Sequence, residues 1–176
     1  MPSGVLGRIV AIKIRFNGYQ RRWDWQTLQE YAAGSLLNTG PHPLDQALQL
    51  MQCDETPSVW CRMDRVNSYG DAEDYVKLLL TAPGKPLVDL EISSCDAYPR
   101  YTYELQGSRG GLAGTTRHID WRYFDPSMAP TQHLIREPLP GPSYCSEQLP
   151  WQEASWDEPA DSDLFQTMAG RIYSNL

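Results

Sequence analysis

An alternation of apolar and polar residues near the start of the chain most constrains its fold. Within residues 4–16 the apolar side chains recur at every second position, as Val10, Ile12, Ile14 and Phe16. Successive side chains of a strand point to opposite faces, so this period of two predicts a half-buried β-strand. The fold must therefore contain a sheet with at least one covered face.

Several later segments also have strand character and are bounded by turn residues such as Pro83 and Gly84. They are 57–67, 73–82, 86–95 and 101–106, with 117–124 as a candidate for one more. Residues 34–51 predict a helix, because one apolar face recurs with helical spacing at Leu44, Ala47, Leu48 and Met51. One early helix followed by strands predicts an α+β fold, with an open, mostly antiparallel sheet and helices on one face.

The last third of the chain differs in composition. Residues 125–159 are rich in proline, which predicts an extended arm. This arm is either a surface loop pinned by Trp151 and Trp156, or a segment that wraps a neighbouring subunit or shapes a pocket. Residues 161–173 predict an amphipathic helix. Since this helix ends with the chain, we expect the 176 residues to be one domain of a longer polypeptide.

Composition excludes several classes of function. With 15 basic and 22 acidic side chains the net charge is −7, so no nucleic-acid partner is expected. No apolar run approaches the roughly 20 residues that a membrane span needs, and the N-terminus has no signal sequence, which together predict a cytoplasmic protein without membrane contact. The four cysteines contain no C-x-x-C pair, so a zinc framework is not expected.

Motifs that bind phosphate or metal are also missing from the sequence. Neither G-x-G-x-x-G nor G-x-x-x-x-G-K-[ST] occurs, so a nucleotide phosphate has no recognisable cradle. The glycine-rich stretch 107–114 precedes a strand-like segment instead of a helix, which predicts a hairpin turn. Asp71, Glu73 and Asp74 have no histidine nearby in sequence, and they predict the solvated start of a strand instead of a metal site.

The densest group of candidate catalytic side chains lies in residues 34–45. On a helix Asn38 and His42 are four residues apart and Asp45 follows three later, so all three project from one side. An imidazole with amide and carboxylate neighbours suits proton transfer. The alternative is a histidine that only satisfies backbone groups.

A basic and aromatic patch precedes this stretch, at Arg21, Arg22 and Trp23. Such side chains either form a solvated surface or line a binding wall for a sugar or an acid. In a binding wall, arginine donates bidentate hydrogen bonds and tryptophan stacks on the apolar face of a ring.

Four motifs, taken together, resemble one protein family. They are RRWDW at 21–25, LLNTGPHPLD at 36–45, EDY at 73–75 and QGSRGGL at 106–112. As a set they resemble the C-terminal domain of the glucose-fructose oxidoreductase / inositol dehydrogenase (Gfo/Idh/MocA) family, over about residues 4–124 and 161–176. The resemblance implies a domain like the C-terminal domain of dihydrodipicolinate reductase, whose open sheet packs against another subunit.

The resemblance also implies an NAD(P)-dependent oxidoreductase that acts on a sugar, a polyol or a related compound. NAD or NADP and a catalytic lysine would belong to an N-terminal Rossmann domain, so this chain is not expected to bind the cofactor or turn over substrate alone. His42 matches the family's proton-transfer histidine, and Asn38 stands where the family has aspartate. Because an amide cannot stabilise an imidazolium by charge, we expect Asn38 or Asp45 to orient His42 by hydrogen bonding.

A second interpretation is a degenerate sheet module without catalytic activity that serves subunit association or ligand binding. Asn38 and the missing cofactor motif favour it. Both interpretations predict a homo-oligomer, because a sheet with helices on one face leaves its other face bare.

Overall fold

One eight-stranded sheet forms the frame of the protein. The computed structural model describes residues 4–139, 141 and 144–159, so the helix predicted at 161–173 lies outside the described residues. The strands are β1 (Ile9–Asn17), β2 (Ser58–Asp64), β3 (Tyr75–Thr81), β4 (Leu87–Ser93), β5 (Tyr103–Gly107), β6 (Gly110–Gly114), β7 (His118–Tyr123) and β8 (Gln152–Asp157). Their order in the sheet is β2-β3-β4-β1-β5-β6-β7-β8.

Strand β1 pairs with β4 in parallel, and the other neighbouring strands pair antiparallel. The predicted α+β class with an open, mostly antiparallel sheet is therefore confirmed. The parallel pair requires a long crossover, which carries the helices and β2 and β3.

Two helices, α1 (Ser35–Asn38) and α2 (Pro41–Met51), replace the single helix predicted over 34–51. Between them the amide of Gly40 donates to Ser35 O and that of His42 to Thr39 O, so the regular spacing of hydrogen bonds is lost. Gly40 is required there, because a Cβ would lie 2.2 Å from Leu36 O. None of the helices among the described residues has the length and apolar character needed to cross a membrane.

The core lies between α2 and the central strands. Pro43, Ala47 and Met51 of α2 are buried, and this helix contacts β1 and β4. Alternate residues of β1, β3 and β4 complete the core, as Ile12, Ile14, Val76, Leu78, Leu80, Val88, Leu90 and Ile92. The intervening residues lie on the opposite side of the sheet, which we call the open face.

Two strands were not predicted from the sequence. The hairpin turn predicted for 107–114 occupies only Ser108 and Arg109, and the glycines after it form β6. Glycine suits β6 because the next strand approaches closely: a Cβ on Gly110 would lie 2.1 Å from Arg122 O. Strand β8 lies within the arm predicted at 125–159, whose other described residues between β7 and β8 are irregular apart from a 3₁₀ turn at Pro126–Met128.

Trp151 and Trp156 both lie beside β7 at the end of this arm. The ring of Trp151 packs edge-on against Phe124 at 5.8 Å and carries the Arg122 guanidinium at 4.9 Å. Trp156 lies in β8, directly opposite Ile119 of β7. The role of the arm toward a neighbouring subunit stays a prediction.

His118 joins β7 to β8 through side chains. Its Nδ1 lies 2.7 Å from Asp157 Oδ1, and its Nε2 lies 3.1 Å from Asp120 Oδ2. Hydrogen bonds first to Asp157 and then to Asp120 raise the pKa of His118 above its ordinary value of 6.5. Arg117, just before β7, and Glu158, just after β8, lie 3.6 Å apart and pair with each other.

We expect protonated His118 to hold β8 more firmly than neutral His118. Since folding raises the pKa of His118, this stabilisation is complete at pH values below the pKa in the unfolded chain, about 6.5. It is lost as the pH rises through the pKa in the folded chain. An NMR titration of the ring should give a midpoint above 6.5, which Asp157→Asn should lower. Amide protection factors in β8 should fall over the same pH window; a midpoint at or below 6.5 in the unmodified chain would contradict this.

Candidate functional site

A cavity of about 450 Å³ opens at the carboxyl ends of β1 and β4. Because these two strands are parallel, the segments that follow them leave the sheet at the same edge. Ligand crevices form at the carboxyl ends of parallel strands. Polar side chains dominate the wall, which includes Asn17, Gln20, Arg22, Asn38, Thr39 and Ser94. Past the strand ends Gly18 N donates to Ser93 O, and Gln20 N donates to Ser94 O within an antiparallel bridge between Tyr19 and Cys95.

Asp74 organises one side of this cavity. Its carboxylate accepts hydrogen bonds from the backbone amides of Val66, Asn67 and Ser68 at 2.6 Å, 2.7 Å and 2.7 Å. The residue is only 6% exposed, so its prediction as part of a solvated strand start was wrong. The three amides belong to the loop between β2 and β3, which Asp74 therefore fixes against the cavity.

Glu73 fixes helix α1, which forms another part of the cavity wall. Its Oε1 accepts from the amide of Leu36 at 2.8 Å, and its backbone oxygen accepts from Ser35 N at 3.0 Å. Gly34 makes this approach feasible, because its φ is +114° and a Cβ there would lie 2.4 Å from Glu73 Oε2. The carboxylate thereby holds the start of α1, and α1 presents Asn38 to the cavity.

Of the predicted basic and aromatic patch, Arg22 lines the cavity. Its Nε and Nη2 donate to the two carboxylate oxygens of Asp24 at 2.9 Å and 2.7 Å, and Nη2 also donates to Gln26 Oε1. The hydrogen bond from Arg22 holds the pKa of Asp24 below its ordinary value.

Arg21 and Trp23 lie outside the cavity wall. The guanidinium of Arg21 lies 5.0 Å from the ring centre of Tyr69 and donates to its hydroxyl. Trp23 meets the same ring edge-on at 6.5 Å and is 78% exposed. These side chains therefore form an aromatic surface cluster around Tyr69, and their predicted role in binding stays a prediction.

The structure does not join the three predicted catalytic side chains. Asn38, His42 and Asp45 are all exposed, and of these Asn38 lines the cavity. Asp45 accepts a hydrogen bond from Gln49 Nε2 at 2.7 Å, whereas no hydrogen bond between described residues links the His42 ring to Asn38 or Asp45. The irregular turn between α1 and α2 explains this, because Asn38 and His42 belong to different helices.

Sequence reasoning missed Asn17, Gln20 and Ser94 as cavity residues. Asn17 ends β1, Gln20 follows it by three residues and Ser94 directly follows β4, so the available signal was the presence of polar residues at or just past the ends of apolar strands. That signal becomes specific only once β1 and β4 are known to be parallel neighbours.

Asp74→Asn should lower the free energy of unfolding by about 2–3 kcal/mol, because a buried carboxylate that accepts three amides is replaced by a group with fewer acceptor sites. Asp71→Asn is the matched control, since Asp71 is exposed and accepts one backbone hydrogen bond, from Gln29 N. We expect the control to change stability by less than about 1 kcal/mol in urea unfolding. Equal effects of both substitutions would contradict the role given to Asp74.

Comparison with known proteins identifies similar chains. The family model described as the GFO/IDH/MocA C-terminal domain matches residues 1–113. The structure of the YPO2259 protein from Yersinia pestis is 22% identical, with 70% of this chain and 41% of that chain covered and a TM-score of 0.58. An NAD-binding protein from Listeria innocua is 14% identical, with 97% of this chain and 51% of that chain covered and a TM-score of 0.61.

The WlbA dehydrogenase from Bordetella pertussis, solved in complex with NADH and UDP-GlcNAcA, is 18% identical, with 70% of this chain and 38% of that chain covered and a TM-score of 0.51. At these identities the similarity shows a shared fold. The present chain spans about half or less of each of these three proteins. No curated protein matches it.

Proposed function

Because the chain belongs to the GFO/IDH/MocA C-terminal domain family, we propose that it is the substrate-binding and oligomerisation part of an NAD(P)-dependent oxidoreductase. The substrate is a sugar, a polyol or a related compound. The observation that carries this proposal is the polar cavity at the carboxyl ends of β1 and β4.

The properties of the cavity support a ligand rich in hydroxyl groups. Its volume of about 450 Å³ lies in the range of small-molecule sites. The side-chain amides of Gln20 and Asn38 have no hydrogen-bond partner among the described residues. An amide both donates and accepts, as a hydroxyl does, so these groups are suited to bind a polyol.

The described residues do not fit a dinucleotide cofactor. In this part of the chain no glycine-rich loop leads from a strand into a helix, which is the element that cradles a dinucleotide phosphate. We therefore assign NAD or NADP to a separate domain of the whole enzyme. The complex of WlbA with NADH supports the choice of a nicotinamide cofactor.

In this proposal His42 accepts the proton that a substrate hydroxyl loses on oxidation. His42 is exposed near the start of α2, and its ring has no hydrogen-bond partner among the described residues, so it is available to a ligand. Asn38, which precedes His42 in the sequence by one short turn, lies in the wall of the cavity. Asn38 would thus bind the substrate, and His42 would act at its edge.

His42→Ala should lower turnover of the whole enzyme by about 10²–10⁴, the usual contribution of a positioned acid or base. His133→Ala is the matched control, since His133 is an exposed histidine in the irregular arm. Steady-state kinetics with NAD(P) measure both, after circular dichroism has shown that each variant is folded. Unchanged turnover in His42→Ala would contradict the proton-transfer role.

The open face supports the oligomerisation part of the proposal. Lys77 Nζ lies 2.5 Å from Asp89 Oδ1 and 3.1 Å from Glu91 Oε2, and Arg15 pairs with Glu104 on the same face. Charges that are already paired within one subunit cost less to bury than isolated ones.

An apolar patch adjoins these ion pairs on the open face. It consists of Trp60, Leu79 and Leu87, and the indole of Trp60 is 53% exposed. Exposed apolar area beside paired charges favours a second copy of the chain as the partner of this face.

Trp60→Arg should weaken self-association at least about tenfold, because it places an unpaired charge in the apolar patch of the proposed contact. Met63→Arg is the matched control: Met63 lies on the same strand and is 52% exposed, but it points to the opposite side of the sheet. Light scattering over a range of concentrations measures both. A monomeric unmodified chain, or equal effects of the two substitutions, would contradict association through the open face.

A second candidate function is a sheet module without catalytic activity that binds a ligand or assembles subunits. The absence of a hydrogen bond from His42 to Asn38 or Asp45 among the described residues favours it. In that case the His42→Ala variant still binds polyols and self-associates, and the whole protein has no oxidoreductase activity before or after the substitution.

A further inference from the structure

The charged side chains in the cavity wall are each engaged elsewhere in the chain. They are Arg15, Arg22, Glu73 and Asp74. Arg15 pairs with Glu104 on the open face, and Arg22 is held by both carboxylate oxygens of Asp24.

The two acidic groups of the wall are bound by backbone amides. Glu73 accepts from one amide and Asp74 from three. Neither carboxylate is paired with a cation of the cavity. The described wall therefore contains no unpaired cation, while two negative charges remain in it.

We propose that the ligand of this cavity is uncharged, namely a neutral polyhydroxy compound, and that sugars with a carboxylate or phosphate group are excluded. This inference rests on the proposed function and narrows its substrate class. An anion that enters the cavity loses water without gaining a counter-charge from the part of the chain that the structure describes, and it approaches the carboxylates of Glu73 and Asp74.

The neutral groups of the wall fit the same ligand. Gln20 and Asn38 present amides, and Ser94 and Thr39 present hydroxyls. All four groups donate and accept hydrogen bonds, as each hydroxyl of a polyol does. A carboxylate only accepts, so the acceptor oxygens of these side chains would be left without donors.

Asp24 is the residue that neutralises Arg22. The Arg22 hydrogen bond lowers the pKa of Asp24, so this carboxyl is ionised at neutral pH. The second cation of the segment, Arg21, lies outside the wall and packs on Tyr69. Removing the Asp24 charge would thus give the cavity an uncompensated guanidinium without removing the amides of Gln20 and Asn38 or the hydroxyls of Thr39 and Ser94.

Binding is tested on the 176-residue chain by amide NMR titration with matched pairs of ligands. The probes are glucose with glucuronate, galactose with galacturonate, and myo-inositol with myo-inositol 1-phosphate. We expect at least one neutral member to shift the amides of Gln20, Asn38 and Ser94, and its anionic counterpart to bind at least about tenfold more weakly, as expected for an uncompensated charge.

Asp24→Asn should raise the affinity of the anionic counterpart by about tenfold or more, and leave that of the neutral ligand unchanged, because Arg22 then lacks its counter-charge. Asp54→Asn is the control, since Asp54 is an exposed carboxylate that does not line the cavity. Glu73→Gln, which removes a negative charge from the wall, serves as a second variant if Asp24→Asn does not fold.

The outcomes separate the two proposals. If the anions bind the unmodified chain as tightly as their neutral counterparts do, the restriction to uncharged ligands is overturned, but the proposal of a polyhydroxy ligand stands. Anion affinity that fails to rise in folded Asp24→Asn and Glu73→Gln also overturns it, because charge pairing is then not what excludes anions. If no member of any pair shifts the cavity amides, the proposed substrate-binding function itself is contradicted.

Discussion

The parallel pairing of β1 with β4 is the interaction on which the rest of the structure depends. It brings two carboxyl ends to one edge of the sheet, and an antiparallel bridge between Tyr19 and Cys95, with a hydrogen bond from Gln20 N to Ser94 O, joins the segments that follow the strands. It also requires a crossover, and that crossover supplies α1, α2 and the acidic pair before β3. The cavity is therefore a consequence of one parallel pair in an otherwise antiparallel sheet.

Backbone amides bind both carboxylates in the wall of this cavity. Glu73 and Asp74 fix α1 and the loop between β2 and β3, and they accept four backbone amide hydrogens in doing so. The same carboxylates make the wall unsuited to anions. The same interactions thus stabilise the fold and restrict the class of ligand. Glu73 and Asp74, which resemble a surface acidic cluster in the sequence, therefore affect ligand specificity.

The alternation in β1, β3 and β4 was predictable from sequence because each of these strands has one buried row. Strand β8 was not, because it lies between Pro150 and Pro159 and its six residues are all exposed. The motif around His42 includes Asn38 of the cavity wall, but its side-chain geometry depends on an irregular turn at Thr39 and Gly40 that helical spacing does not describe. Gln20 and Ser94 were missed because they meet only past the strand ends, beside the antiparallel bridge between Tyr19 and Cys95.

The central claim is that this cavity holds a neutral polyhydroxy substrate for oxidation at His42. A crystal structure of the whole enzyme with NAD(P) and a neutral polyol tests it most directly. We expect the polyol to contact Gln20 and Asn38, with one hydroxyl within about 3.2 Å of a ring nitrogen of His42. A polyol bound away from these amides, or one whose hydroxyls lie beyond hydrogen-bond reach of His42, would contradict the claim.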